Sequence, residues 1–234
     1  MTSFLQQFDF TIGAPASLFD LSHPLEPISS SLLQTMINAP QPPLREDGVL
    51  IAWMVSNCSP QNQRNDLMQS LMAEMEVHSF GKCMNNKDIP LDVKQKFGMP
   101  EEGVTDQWWG SWQDIKRSIF SKYPFVFTPE NSNCEGYVTE KVYDALAAGS
   151  IPIYLGARDI EYYVPPRSII NVQNFENVKA LVEYLKEVVN STDIRMEYYK
   201  WKEMVVNDNG TFCSRCLEDS KGIECSVLDY ATWL

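Results

Sequence analysis

The stretch PFVFTPENSNCEGYVTEKVYDALAAGSIPIYL, residues 124–155, decides the fold class of this chain. Residues 124–128 and 151–155 are two mostly apolar runs of strand length. Between them lie a polar loop and a helix-like stretch. That stretch starts after Thr139, a plausible N-cap, and ends before Gly149, which suits a helix C-terminus. The order strand, loop, helix and strand is one unit of an alternating α/β fold.

The same alternation continues on both sides of this stretch. Residues 49–55 (VLIAWMV) predict a strand followed by a helix with one apolar face, and another short strand is expected near residues 77–80. A further helix ends near Tyr123. Residues 168–172 predict a strand, and residues 177–189 carry apolar side chains at helical spacing. The sequence therefore predicts a Rossmann-like, doubly wound, mostly parallel α/β sheet.

Two regions are expected to lack regular elements. Residues 1–47 are rich in proline and serine, and their prolines are expected to break every candidate element; the polar residues 85–100 are expected to be a loop. The predicted organisation is a lead-in and interdomain linker over 1–47, a Rossmann-like domain over 48–205 and a cysteine-containing tail over 206–234.

Composition and charge exclude several classes of protein. The chain of 234 residues is 44% hydrophobic and 12% aromatic, which is typical of a globular protein and not of a disordered one. Its net charge of −12 gives no electrostatic footprint for nucleic acid. The longest apolar run, residues 49–55, is far shorter than the roughly 20 residues that span a bilayer. An anionic ligand must therefore be held by a few local cations.

In a doubly wound sheet the ligand crevice lies beyond the carboxyl ends of the strands, and this rule selects two loops. The first loop, residues 56–64, offers the Ser56 hydroxyl, the Asn57 amide and Arg64, which enters from the first turn of the next helix. A guanidinium group and a helix N-terminus together form an anion site. The alternative is that Arg64 is a solvated helix residue.

The second loop, residues 130–141, is richer in groups suited to a nucleotide. Glu140 and Lys141 open a helix, so a carboxylate that can accept from ribose hydroxyls lies beside an ammonium that can neutralise phosphate. Tyr137 could lie against a base or a sugar. In the alternative interpretation, Glu140 interacts with the helix dipole and Lys141 pairs with a nearby acid.

The remaining reactive and aromatic residues favour structural roles. The six cysteines are interpreted as disulfides of an oxidising compartment and not as zinc ligands, because neither histidine lies near the CxxC of residues 213–216. Three tryptophans either contact a sugar or pack on a domain face, and Arg158 either approaches the ligand or lies on the surface. The tryptophans are Trp108, Trp109 and Trp112.

Several motifs together strongly resemble the donor-binding domain of the alpha-1,3-fucosyltransferase family. They are ENS at 130–132, YVTEK at 137–141, AGSIP at 148–152 and LG at 155–156. VSNC at 55–58, Arg64 and SFGKC at 79–83 also match, and resemble the core alpha-1,3-fucosyltransferases of plants in particular. The resemblance covers about residues 48–205.

The resemblance implies a GT-B glycosyltransferase with two Rossmann-like halves. GDP-fucose is expected in the C-terminal half and a glycan or glycoprotein acceptor in the N-terminal half, with inversion at the anomeric carbon and no metal needed for the chemistry. Arg64 is implied on the pyrophosphate, Glu140 on the ribose hydroxyls and Lys141 on the phosphates. The donor-binding residues expected in full are Ser56, Asn57, Arg64, Glu130, Asn131, Tyr137, Glu140 and Lys141.

The chain departs from this family at its N-terminus. Family enzymes carry the general base, a carboxylate, in an upstream acceptor domain, whereas only about 47 residues precede the resemblance here. Residues 8–11 and 19–20 resemble the segment that closes that domain. No catalytic residue is therefore assigned within this chain. The base and the anchor that tethers such enzymes to the Golgi membrane, with the domain on the lumenal side, are expected in a part that the chain lacks.

The resemblance also bears on the cysteines. Cys58 and Cys83 could pair, because they lie at neighbouring strand-to-loop junctions, whereas Cys213 and Cys216 resemble the terminal CxxC of the family. Cys134 and Cys225 are not assigned.

The leading hypothesis is inverting transfer of fucose from GDP-fucose to a GlcNAc hydroxyl in alpha-1,3 linkage. The alternatives are a related transferase with another acceptor, a GDP-sugar-binding module without transfer, and a secreted disulfide-bonded adhesion protein.

Overall fold

A computed structural model of the chain describes residues 30–45, 47–100 and 111–207. Five strands form one parallel sheet in the order β2-β1-β3-β4-β5. Helices cover both faces of this sheet, so the predicted doubly wound α/β fold is confirmed.

Every predicted strand is present, although β1 is shorter than residues 49–55 and β3 begins one residue later than predicted. The strands are β1 Ile51–Trp53, β2 Val77–Ser79, β3 Phe125–Pro129, β4 Ile151–Leu155 and β5 Ile170–Asn171. The α-helices are α1 Ser30–Asn38, α2 Arg64–Glu74, α3 Leu91–Lys96, α4 Trp112–Phe120, α5 Glu140–Ala147, α6 Val178–Asn190, α7 Thr192–Glu197 and α8 Trp201–Asn207.

The central strand β3 shows how the layers attach to each other. Phe125 and Phe127 pack on one face with α2 and α6, whereas Val126 packs on the other face with α3, α4 and the end of α5. Each of these side chains is almost completely buried. Burying a side chain of this size contributes about 1.5–3 kcal/mol, so β3 holds both helical layers in place.

The structure corrects the expectation that prolines break every element within residues 1–47. Helix α1 lies in the proline-free stretch 28–39 and buries Met36 in the cluster that contains Val142 and Leu146 of α5. Proline restricts itself and the residue before it, so prolines can bound a helix without interrupting it. Residues 1–29 lie outside the described part of the chain.

The expectation of a loop over residues 85–100 is wrong for residues 91–96, for a related reason. Helix α3 begins directly after Pro90 and buries Val93 beside Ile115 of α4. The first N–H groups of a helix have no intrahelical partner, so a proline at this end removes no hydrogen bond. Proline starts this element instead of breaking it.

Helix α5 starts and ends where the sequence predicted. Thr139 occupies the N-cap position, although its side chain makes no capping hydrogen bond. Gly149 follows the helix with a φ of +82°, and a Cβ at this position would overlap the carbonyl oxygen of Pro40. Glycine is therefore needed here both for its backbone conformation and for the close approach of the segment after α1.

Replacing Gly149 with alanine tests this corner of the fold. Gly149→Ala is expected to lower the free energy of unfolding by about 3 kcal/mol, because it combines a left-handed backbone with a steric overlap. Gly98→Ala is the matched control, since Gly98 has a φ of +61° and open space around its Cβ position. We expect the control to lose about 1 kcal/mol in urea unfolding. Equal losses in the two variants would contradict the role given to the Pro40 contact.

Candidate functional site

The strand order places a crevice between β1 and β3. The chain runs from β1 outward to β2 and returns to the other side of β1 to form β3, so the order reverses between β1 and β3. In open α/β sheets ligands bind at such a switch point, beyond the carboxyl ends of the strands. The loops that follow β1 and β3 are the two that the sequence selected.

Hydrogen bonds join these two loops directly. The backbone N–H of Gln61 donates to the carbonyl oxygen of Asn131 at 2.9 Å. The side-chain amide of Asn62 donates to the carbonyl oxygen of Glu130 at 3.0 Å and to Oδ1 of Asn133 at 2.8 Å. Asn62 was not selected from the sequence, because an amide in a polar loop gives no signal of its cross-loop partner.

Arg64 forms hydrogen bonds to both loops from inside the protein and is completely buried. Its Nη1 donates to Oδ1 of Asn131 at 2.6 Å and to the carbonyl oxygen of Pro129 at 3.3 Å, and its Nη2 donates to the carbonyl oxygen of Asn57 at 2.5 Å. The interpretation of Arg64 as a solvated residue is therefore wrong. Its guanidinium group stabilises the crevice from inside the protein.

Ser56 and Asn57 lie exposed on the rim of the first loop. Oδ1 of Asn57 accepts a hydrogen bond from the backbone N–H of Ser59 at 3.0 Å, which shapes the turn. A disulfide between Cys58 and Cys83 links this loop to the segment after β2, with 5.2 Å between the Cα atoms. The predicted pairing is confirmed, and it anchors the rim.

Glu130 lies at the carboxyl end of β3 and is completely buried. Its Oε1 accepts from the backbone N–H of Thr139 at 2.7 Å, and its Oε2 accepts from Oγ1 of Thr139 at 2.7 Å and from Nζ of Lys141 at 3.0 Å. Burial raises the pKa of Glu130, and the nearby Lys141 ammonium opposes that shift. A Cβ on Gly156, directly after β4, would overlap Oη of Tyr154 and lie 2.8 Å from Cγ of Glu130, so glycine leaves room for both side chains.

Lys141 is mostly buried, with 17% of its side chain exposed. Its Nζ also donates to Oγ1 of Thr139 at 2.7 Å. Burial opposes its charged form, but Glu130 and Glu140 raise the pKa of the ammonium above its ordinary value. Lys141 thus pairs with a nearby acid, as the alternative interpretation predicted, but this pairing is not its only feature. Lys141 also lines the crevice, so the ion pair fixes a charged ammonium there.

Glu140 is half-exposed beside Lys141, with 44% of its side chain accessible. Burial of part of the group opposes ionisation, but Lys141 and Lys116 lower its pKa below the ordinary value. The carboxylate is therefore ionised at neutral pH and can accept hydrogen bonds.

Tyr137 and Asn131 occupy the loop between β3 and α5 and are partly exposed. The backbone N–H of Tyr137 donates to the carbonyl oxygen of Cys134 at 3.1 Å, which closes a tight turn around Gly136. Oδ1 of Asn131 is occupied by Arg64. Of the predicted residues, Glu130 and Arg64 are covered, whereas the other six have accessible surface.

Two residues of the crevice were missed by the sequence argument. Lys116 of α4 and Asp144 of α5 line it together with Lys141. Asp144 follows Glu140 by four residues, so the two carboxylates share one face of α5. That spacing was a usable signal, but only the packing of α4 against α5 shows that Lys116 lies opposite.

The structure places the remaining candidates at the surface or does not describe them. Trp112 is the first residue of α4 and is 43% exposed, and Arg158 is exposed. Within residues 30–45, 47–100 and 111–207, no group of metal-ligating side chains is found, and no helix is long and apolar enough to cross a bilayer. The expectations that fall outside these ranges concern residues 8–11, residues 19–20, Trp108, Trp109, Cys213, Cys216 and Cys225.

In the comparisons with known proteins, the chain is similar to fucosyltransferases. The family model described as glycosyltransferase family 10 (fucosyltransferase), C-terminal part, matches residues 45–229. The alpha-(1,4)-fucosyltransferase of Arabidopsis thaliana is 36% identical over 68% of this chain and 39% of its own length. The GDP-fucose protein O-fucosyltransferase 3 of Xenopus tropicalis is 31% identical over 68% of this chain and 31% of its own length.

The chain thus spans less than two fifths of the length of these two relatives. A solved alpha1,3-fucosyltransferase with GDP covers 70% of this chain at 21% identity, with a TM-score of 0.49, and the alignment includes 39% of that protein.

The buried guanidinium of Arg64 gives a first prediction for this site. Arg64→Met is expected to lower the free energy of unfolding by about 3 kcal/mol, because three acceptors lose a charged donor. Arg45→Met is the control, since Arg45 is partly exposed and pairs with Asp47; its loss should stay within about 1 kcal/mol. Urea unfolding of both variants measures the difference, and similar losses would contradict a bracing role for Arg64.

The buried carboxyl of Asp144 gives a second prediction, on pH dependence. Burial raises its pKa to about 6, against the pull of Arg117 and Lys116. A raised folded-state pKa stabilises the protein below the unfolded pKa, near 3.8, and this stability is lost as the pH rises through 6. The stability of the wild type relative to Asp144→Asn should therefore fall by about 2 kcal/mol between pH 4 and pH 7.

Asp92→Asn is the control for this measurement. The hydrogen bond from Lys122 lowers the pKa of Asp92, so its contribution is constant above pH 5. Urea unfolding at pH 4, 5, 6 and 7 measures both differences. A pH-independent difference for Asp144→Asn would contradict the prediction.

Proposed function

Because the chain belongs to glycosyltransferase family 10, the fucosyltransferases, by its match to the family model over residues 45–229, we propose that it binds GDP-fucose and forms the donor-binding part of a fucosyltransferase. One observation carries this proposal. A charged ammonium and an ionised carboxylate lie side by side at the start of α5: Lys141 lines the switch-point crevice, and Oε1 of Glu140 is 3.8 Å from Nζ of Lys141.

Lys141 is the proposed phosphate ligand. Its ammonium is fixed by Glu130 and Thr139 at 3.0 and 2.7 Å, so little side-chain freedom is lost when an anion binds. The N-terminal end of α5 also favours negative charge at this position. Arg64 is fully covered, so it supports the phosphate site through the loops that it joins.

Glu140 is the proposed ligand of the ribose hydroxyls. An ionised carboxylate accepts hydrogen bonds from two vicinal hydroxyls, and the lowered pKa of Glu140 keeps it ionised. Its half-exposed position leaves the oxygens accessible. Tyr137, Asn131, Ser56 and Asn57 are proposed to contact the remaining parts of the donor from the two loops.

The proposed reaction is transfer of fucose with inversion. A hydroxyl oxygen of the acceptor forms a bond to the anomeric carbon while the bond from that carbon to the phosphate oxygen of GDP breaks, and the hydroxyl proton goes to a general base. Negative charge develops on GDP, so a fixed cation stabilises the transition state more than the ground state. We assign no base among the residues of this chain, and we propose that protein cations serve in place of a metal ion.

The acceptor and the linkage form the finer part of the proposal. Transfer to a GlcNAc hydroxyl in alpha-1,3 linkage, in a lumenal Golgi compartment, agrees with the resemblance of the motifs at 130–141 and with the disulfide between Cys58 and Cys83. The relatives named above carry different names, since one is an alpha-(1,4)-fucosyltransferase and another a GDP-fucose protein O-fucosyltransferase.

A second candidate function is a GDP-sugar-binding module that does not transfer fucose. It requires only the donor contacts proposed for Lys141 and Glu140 and no general base. The crevice would be the same in both cases, so the two functions differ in turnover and not in binding.

One experiment separates these functions. The full chain is titrated with GDP by calorimetry and then incubated with GDP-fucose and a panel of GlcNAc-terminated glycans and glycopeptides, with and without EDTA. Binding with EDTA-insensitive transfer supports the transferase and overturns the module, whereas binding without transfer supports donor binding and removes transfer from this chain. A chain that binds no GDP and gains no thermal stability from it would overturn both proposals.

The binding role of Lys141 gives a direct prediction. Lys141→Met is expected to weaken GDP binding at least tenfold, since a charged hydrogen bond contributes about 1.5–3 kcal/mol. Lys200→Met is the control, because Lys200 is exposed and pairs with Glu197, the last residue of α7. Calorimetry measures both affinities, and an unchanged affinity in Lys141→Met would remove Lys141 from the phosphate site.

A further inference from the structure

A second cation lines the crevice opposite Lys141. Lys116 lies on α4, whereas Lys141 lies on α5, and both side chains line the concavity beyond β1 and β3. Lys116 is 23% exposed at its side chain, so its ammonium is within reach of a ligand that enters from solvent. Neither the sequence motifs nor the comparisons assign it a role.

The two ammonium groups lie close together. Oε1 of Glu140 is 3.7 Å from Nζ of Lys116 and 3.8 Å from Nζ of Lys141. The two nitrogen atoms are therefore no more than about 7.5 Å apart. Charged hydrogen bonds of about 2.8 Å on each side would let the oxygens of one diphosphate reach both groups.

Two ion pairs hold Lys116 near the crevice, and neither is short enough to be a hydrogen bond. Its distances to the carboxylate oxygens of Glu140 and Asp144 are 3.7 and 3.8 Å, which are ion-pair distances beyond hydrogen-bond length. Within the described residues, these two pairs leave the N–H donors of Lys116 without a carboxylate acceptor at hydrogen-bond distance. A phosphate oxygen would offer that acceptor.

Asp144 fixes the helix that carries Lys116. Its Oδ1 accepts a hydrogen bond from Nε of Arg117 at 2.9 Å and lies at an ion-pair distance of 2.9 Å from Nη2, and this pair fastens α4 to α5. Its Oδ2 is buried and has no hydrogen-bond partner, although Asp144 is only 1% exposed and lines the crevice. Asp144 is thus a positioning residue that attracts Lys116 without forming a hydrogen bond to it.

A diphosphate needs this second cation. It carries about two to three negative charges near neutral pH, because the second ionisation of a terminal phosphate falls near pH 6. Lys141 supplies only one ammonium with exposed surface, and Arg64 is fully covered. The geometry points to Lys116 as a second diphosphate-binding residue, which together with Lys141 makes the crevice select a nucleoside diphosphate over a monophosphate.

This inference rests on the proposed function and deepens it. A monophosphate can be satisfied by Lys141 alone, so loss of Lys116 should affect it little. A diphosphate extends to both ammonium groups, so loss of Lys116 removes one of its two charged contacts. The ratio of the two affinities therefore reports on Lys116 specifically, whereas a general loss of the fold would lower both affinities.

The test measures GDP and GMP affinities by calorimetry for the wild type and for Lys116→Met, Lys116→Arg and Lys122→Met. Lys116→Met is expected to weaken GDP binding by about tenfold or more and GMP binding by less than about threefold. Lys116→Arg keeps the charge and should retain GDP affinity within about threefold. Lys122 pairs with Asp92 near the end of α4, so Lys122→Met controls for the loss of one positive charge and should bind both nucleotides like the wild type.

The outcomes distinguish this inference from the proposed function. A wild type that binds no GDP overturns both. If the wild type binds GDP and Lys141→Met weakens it, but Lys116→Met does not, only the role of Lys116 is overturned. Equal losses of GDP and GMP affinity in Lys116→Met also overturn it, as does loss of binding in Lys116→Arg with an unfolding midpoint like that of the wild type.

Discussion

The carboxylate of Glu130, buried at the carboxyl end of β3, is the constraint on which the candidate site depends. A buried charge is tolerated only when it is paired and hydrogen-bonded. Thr139 supplies both its backbone N–H and its hydroxyl, and Lys141 supplies its ammonium. The same contacts fix where α5 begins, so the need to satisfy one carboxylate determines where the helix presents its first turn to the crevice.

This constraint also explains how an acidic chain can offer an anion site. With a net charge of −12, the protein as a whole repels anions. Near the crevice, however, the carboxylates of Glu130 and Asp144 are withdrawn from solvent, whereas the ammonium groups that they attract keep some exposed surface. Two of the three acids near the two ammonium groups are thus covered, and only Glu140 is exposed beside them.

The sequence predicted the parts of the molecule that depend on local patterns. Apolar runs and the residues at the ends of α5 located the strands and that helix, and the parallel arrangement followed from their alternation. The two loops could be selected because the carboxyl ends of parallel strands meet at one edge. Burial was not predictable in the same way: Arg64 looks the same in the sequence whether it is solvated or covered. Lys116 was missed because its partners lie on another helix. Helices α1 and α3 were missed because prolines lie beside them in the sequence.

The packing of α1 and α8 against α5 determines where this domain can be truncated. Met36 of α1 and Trp201 of α8 belong to the same buried cluster as Val142 of α5, and Nζ of Lys202 donates to the carbonyl oxygen of Ala39 at 2.6 Å. Segments from the two ends of the described chain thus support the helix that carries Glu140 and Lys141. A recombinant fragment trimmed to residues 48–205 would discard α1 and expose this apolar surface, so a soluble crystallisation or screening fragment should begin before Ser30 and extend past Asn207.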